Sequence, residues 1–160
     1  MRSLVALCLF IASTLAMAQF DAVSADRSVS ASSAHPIAVD PSKVGRYAGR
    51  AKSGAGYFYD EVLEYRVWMD PRGGAAKRNG NSAYFAAFAQ YEKALAYSER
   101  TQGAEEPLVL IRQLKHINEP TPGVFEVVEG ERIAEWQVEW LAKSKRVPGA
   151  IEKFLSDHKK

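Results

Sequence analysis

The sequence predicts a small α+β domain with a mainly antiparallel sheet, in the order β-β-α-β-(β)-β-α, within residues 57–156. Three observations predict it. Several segments alternate apolar and polar residues with period two, one segment between them repeats every 3.6 residues, and Gly, Pro and Asn-Gly clusters punctuate the boundaries.

The clearest strand is 61–69. Leu63, Tyr65, Val67 and Met69 lie on one face, and Val62, Glu64, Arg66 and Trp68 on the other. Asp70-Pro71-Arg72-Gly73-Gly74 ends it, because Pro lacks a ladder donor and the glycines permit positive φ. A loop with Asn79-Gly80 leads into a second strand at 82–88. Residues 90–100 place Tyr91, Ala94, Leu95 and Ser98 at helical spacing, with Gly103 as the stop.

Residues 107–117 return to strand, and Leu108-Val109-Leu110-Ile111 is apolar on both faces, as in a central strand. Pro120, Pro122 and Gly123 force a turn. Residues 124–128 form a short strand, Gly130 a break, and residues 132–141 a long strand. In the latter, Ala134, Trp136, Val138 and Trp140 point inward and Ile133, Glu135, Gln137 and Glu139 outward. A helix competes for this segment, since Trp136 and Trp140 are four apart, but the alternation of Trp136, Val138 and Trp140 favours strand. Pro148 suits the first turn of a closing helix that carries Ile151, Phe154 and Leu155.

Upstream of this domain, residues 1–18 read as an export signal. Arg2 supplies the positive start, the apolar run from Leu4 to Ala16 follows, and Ala16-Met17-Ala18 matches a small-x-small cleavage site. That run is too short to span a hydrocarbon core of roughly 30 Å as a helix, so the expected mature protein is periplasmic or secreted, without a transmembrane segment. Residues 19–56, rich in Ser, Ala, Gly and Asp, read as a flexible linker, and 157–160 as a basic tail.

The whole chain has 21 Lys and Arg against 19 Asp and Glu. So even a balance gives no global attraction to nucleic acid, and no nucleic-acid partner is expected. Locally the charge is uneven: residues 121–142 hold five glutamates against one arginine, whereas 143–160 hold six lysines and arginines against two acids. The basic end is a solvated terminus or a weak contact for an anionic surface. The single cysteine, Cys8, lies in the signal, so no disulfide is expected after cleavage.

Catalytic signatures are sparse. His35, His116 and His158 have no ligand-spaced partner, so no metal is predicted, and neither a Gly-x-Ser-x-Gly elbow nor a phosphate-binding Gly-x-x-x-x-Gly-Lys occurs. Trp68, Trp136 and Trp140 suit core and rim packing, with an aromatic carbohydrate platform as the alternative.

Arg46, Gly49 and Ala51 match Arg/Gln-x-x-Gly-x-Gly/Ala, the pattern that cradles the coenzyme A pyrophosphate in GCN5-type acetyltransferases. The match sits in the linker, without the preceding strand and following helix N-terminus that such a loop uses. The segments GYFYDEVLEYRVWMDPRGG, YFAAFAQYEKALAYSERTQGAEEPLVLIRQ and ERIAEWQVEWL resemble a family of short bacterial proteins often labelled GCN5-type acetyltransferases. That resemblance implies acetyl-CoA as cofactor and assigns no catalytic residue.

A strand, an aromatic strand with its following helix, and a late Glu-Trp strand also resemble the ADP-ribosyltransferase core. By that resemblance NAD would be held by Arg66, Tyr84 and Glu135: Arg66 on a phosphate, Tyr84 stacked on the nicotinamide, Glu135 stabilising positive charge. On the residues alone, Arg66 and Glu135 equally suit a cross-strand ion pair and Tyr84 a core-edge aromatic. The leading expectation is an exported binding module for a protein, glycan or cell-envelope ligand, with no cofactor. The alternative is a transferase using NAD or acetyl-CoA.

Overall fold

The alternation at residues 61–69 produces β1 (Glu61–Met69) in the computed structural model, which describes residues 34–48 and 56–159. The expected export signal at 1–18, with Cys8, and Gly49 and Ala51 lie outside the described residues. Among the described residues no helix is long and apolar enough to cross a membrane.

Asp70 ends β1 and caps the 3-10 turn Pro71–Gly73, its Oδ1 accepting from the Arg72 amide at 2.9 Å. The chain returns as β2 (Tyr84–Phe88), antiparallel to β1 in a register that pairs Tyr65 with Phe88 and Met69 with Tyr84. Helix α1 (Tyr91–Arg100) follows, with Glu92 in its first turn and Arg100 in its last, as the helix dipole favours. Two long strands complete the sheet: β3 (Leu108–Thr121) and β4 (Val124–Gln137), joined through Pro122-Gly123 with Gly123 at φ 79°. A 3-10 turn (Val138–Lys143) and helix α2 (Ala150–Asp157) close the chain. The sheet order is β2-β1-β3-β4, every pair antiparallel, so the fold is α+β as the sequence predicts.

One sheet face carries the apolar core: Tyr65, Val67, Val109, Ile111 and Trp136 pack with Ala94 of α1. The opposite face carries Glu64, Arg66, Trp68, Phe85 and Glu135, in accordance with strand alternation and register. Burial of both faces of β1 explains why it reads so strongly as a strand.

Several expectations are corrected. Val62 joins the core face, because a register shift between Val62 and Glu64 puts an extra residue into β1 there. Gly130 does not break the chain: it sits at φ 133° beside the register shift between Gln113 and Lys115, and β4 runs through it as one bulged strand. Pro120 lies within the end of β3, where the register is again irregular. At its far end β4 stops at Gln137, not Leu141. Val138 and Leu141 reach the core from a 3-10 turn, where their spacing of three fits, and Trp140 is left 44% exposed. Glu135, expected outward, is buried. Pro148 precedes α2 by two residues, and Gly149 at φ 78° is the cap.

The folded unit also begins earlier than Tyr57. Ala38 is buried, its amide donates to the Ala89 carbonyl (2.9 Å), and the Val39 amide donates to the Val62 carbonyl (2.8 Å). β2 stops opposite Tyr65, so these contacts satisfy the part of the β1 edge that β2 leaves unpaired. Residues 34–48 therefore act as a strap on the sheet; a linker boundary at residue 56 leaves out this packed segment.

Candidate functional site

Arg66 is fully buried on the sheet face away from α1. Taking a guanidinium out of water costs several kcal/mol unless its donors are met, and here they are. Nε donates to Glu64 Oε1 (2.6 Å), Nη1 to Glu135 Oε1 (2.8 Å), and Nη2 to the carbonyls of Tyr47 (3.3 Å) and Ala48 (3.0 Å). The guanidinium carbon stands 4.3 Å from the Phe85 ring centroid, a cation–π contact. Glu64 Oε2 accepts from the Gly45 amide (2.6 Å), and Glu135 Oε1 also accepts from Trp68 Nε1 (3.3 Å). The strap therefore covers a buried ion network and completes its hydrogen bonds.

Arg66 and Glu135 are thus brought together, as their suggested roles require. Tyr84 is not. It pairs with Met69 in register, lies on the core face, donates its hydroxyl to the Ala76 carbonyl (2.8 Å) and carries the Arg78 guanidinium over its ring at 4.5 Å. The β1 pleat separates the two faces, so Arg66, Tyr84 and Glu135 do not line one cavity. Arg46 is exposed and follows the 3-10 turn Pro41–Lys43 rather than a strand, its amide donating to the Lys43 carbonyl (2.9 Å). Among the described residues there is no cluster of three or more His, Cys, Asp or Glu that could hold a metal.

A concavity reaches Glu135 from the end of the sheet. A cavity of about 740 Å³ opens at the end of the sheet, between α1 and the 3-10 turn after β4. Tyr91 and Leu95 of α1 form one wall, Trp136 and Trp140 the other, and Glu106 and Glu139 stand among them. Trp136 and Trp140 meet edge to face, with centroids 5.9 Å apart and planes at 67°. Tyr59 holds Trp136 from its other side at 6.1 Å, so the Trp136 wall is fixed by the core while Trp140 faces solvent.

Electrostatics in the groove are one-sided. Burial, with the charges of Glu139, Glu106, Glu92 and Glu99, raises the pKa of Tyr91 above the ordinary phenol value. Among the described residues no lysine, arginine or histidine lines the groove. The loop before β3 is pinned on both sides, by the Glu105 amide on the Trp68 carbonyl (2.8 Å) and by the Ser98 hydroxyl on the Glu105 carbonyl (2.7 Å), which places Glu106 at the rim.

Sequence reasoning singled out the Trp136/Trp140 pair and the acidic stretch 121–142 but did not join them to Tyr91 and Glu106. Glu105-Glu106-Pro107 directly before an apolar strand was the available signal. In comparisons with known proteins, no family model, no curated protein and no solved structure matches the chain.

Proposed function

We propose that this protein is an exported binding module whose ligand seats in the groove between α1 and the 3-10 turn Val138–Lys143. The observation that carries the reading is the groove itself: about 740 Å³, with a rigid Trp136 wall, a solvent-facing Trp140 and unneutralised carboxylates at its rim. That volume falls in the range of clefts that take small ligands or short chain segments, roughly 300–1,000 Å³. The chemistry-bearing Arg66 and Glu135 support binding over catalysis from the other direction, because each is committed to the network under the strap. The export signal in residues 1–18 supports action in the periplasm or outside the cell.

Thermal shift with fractionated periplasmic extract, run on the protein and on Trp140→Ala, tests the reading. The expected result is a fraction that raises the melting temperature of the protein and not that of the variant, since a ligand at a hundred times its dissociation constant adds about 2.7 kcal/mol. No shifting fraction, or equal shifts in both proteins, overturns it. NAD and acetyl-CoA are run alongside: a shift with either that survives Trp140→Ala would return the transferase reading. N-terminal sequencing of the exported protein should begin at Gln19.

A further inference from the structure

We infer that the occupant of the groove is a lysine- or arginine-bearing extended polypeptide segment, added beside β4 with a basic side chain seated against Tyr91 and Trp140. The inference rests on the groove being the ligand site and names the chemistry of what fills it.

Charge complementarity argues first. Glu106 and Glu139 stand at the groove with no ion-pair partner among the described residues, and no basic side chain lines the cavity to neutralise them. Such carboxylates beside an open aromatic face suit a compact organic cation, which gains Coulomb attraction from the acids and cation–π attraction from the exposed Trp140 indole. An anionic or purely apolar ligand would meet the rim charges with no compensation.

The shape of the surroundings extends this from a cation to a chain. Among the described residues β4 is the outer strand of the sheet, so its far edge offers backbone groups to an added strand. Along that strand Glu126, Glu129 and Glu131 are exposed, against Arg132, and Lys115 pairs with Glu129. The same stretch repels a second copy of itself, because self-pairing would bring glutamates against glutamates. A basic extended segment meets no such repulsion, and the groove opens where β4 ends, at Trp136 and Gln137.

Titration calorimetry on the full protein decides it, using an unstructured peptide of alternating Lys and Thr, its Glu-Thr counterpart, and spermidine. Expected is binding of the Lys-Thr peptide that weakens with added salt. It should fall by about tenfold, equivalent to about 1.4 kcal/mol, in Trp140→Ala and in the double variant Glu106→Gln/Glu139→Gln. All three side chains are exposed at the rim, and unchanged melting temperatures confirm that the variants are folded. Lys-Thr binding that is equal in the variants, or matched by the Glu-Thr peptide, overturns the proposal. Binding of spermidine as tight as that of the peptide overturns the polypeptide part of it. If the Lys-Thr peptide is silent while an extract fraction still stabilises the protein through Trp140, the ligand class is wrong and the groove stands; if both are silent, both readings fall.

Discussion

Arg66 reaches across an intervening strand to Glu135: β3 lies between β1 and β4, yet Nη1 and Oε1 are 2.8 Å apart. Only a side chain of this length can bridge two strand spacings of roughly 4.8 Å each. The pair therefore ties three strands together where an adjacent cross-strand pair would tie two. Arg66→Ala leaves Glu64 and Glu135 buried without their cation, and a loss of about 3–5 kcal/mol is expected in urea denaturation. Glu135→Gln should also lower stability, and Arg66→Ala should cost less in that background, because one uncompensated charge has gone. Equal costs in both backgrounds would show the two side chains to be independent.

The strap gives a second prediction. The buried Tyr65 hydroxyl donates to the Pro36 carbonyl at 2.5 Å, and burial raises its pKa. Tyr65→Phe removes this bond and should cost about 1 kcal/mol. Hydrogen exchange reads it locally: the Ala38 and Val39 amides, bonded to Ala89 and Val62, should exchange faster in the variant, while amides within β3 keep their protection. Uniform acceleration across the sheet would mean that Tyr65 acts through global stability and not through the strap.

How much of this was legible follows from what a periodic pattern can report. Alternation at Tyr65, Val67 and Met69 identifies a strand and its buried face, and the register confirms both. Period two says nothing of phase changes, so the bulges at Val62/Glu64 and near Gly130 moved Val62 to the core and made a break read where the strand continues. Trp136 and Val138 alternate, but a 3-10 turn continues that spacing into the core just as a strand would. The strap is held largely through backbone groups of Pro36, Ala38, Val39, Gly45, Tyr47 and Ala48, which composition does not show. Arg66 and Glu135 are singled out by the resemblance to the ADP-ribosyltransferase core, and the residues alone also suit the ion pair they form. Tyr84 is grouped with them by the same resemblance, and nothing in the sequence says which face of β2 meets Arg66.

Gly103 should prove far less tolerant than Gly80, although both have positive φ, at +73° and +64°. A Cβ at Gly103 would stand 2.1 Å from the Ala75 backbone nitrogen, whereas at Gly80 nothing lies within 4 Å. Gly80→Ala should cost only the left-handed backbone penalty of about 1–2 kcal/mol. Gly103→Ala must in addition push apart two backbone segments held by the Asp70 amide on the Gly103 carbonyl (3.2 Å). Comparable melting temperatures for the two variants would show that the loop before β3 yields.

His116 makes stability depend on pH. It is buried on β3, its Nδ1 has no hydrogen-bond partner among the described residues, and burial, followed by the charge of Arg132, lowers its pKa below the ordinary histidine value. The unfolded chain therefore takes up a proton near pH 6.5 while the folded chain does not, and stability rises with pH through this window. The contribution is complete above about pH 7 and is lost as pH falls below about 6.5, down to the depressed folded value. His116→Leu removes the titrating ring and leaves no buried donor behind, so denaturation midpoints measured between about pH 5 and 7 should flatten. Glu119, whose carboxylate is held below its ordinary range by the Gly123 amide and the Tyr57 hydroxyl, adds a slope of the same sign only toward the acid end of that window, where the unfolded carboxylate begins to take up a proton. A pH dependence in His116→Leu as steep as that of the parent protein would move the effect to another group.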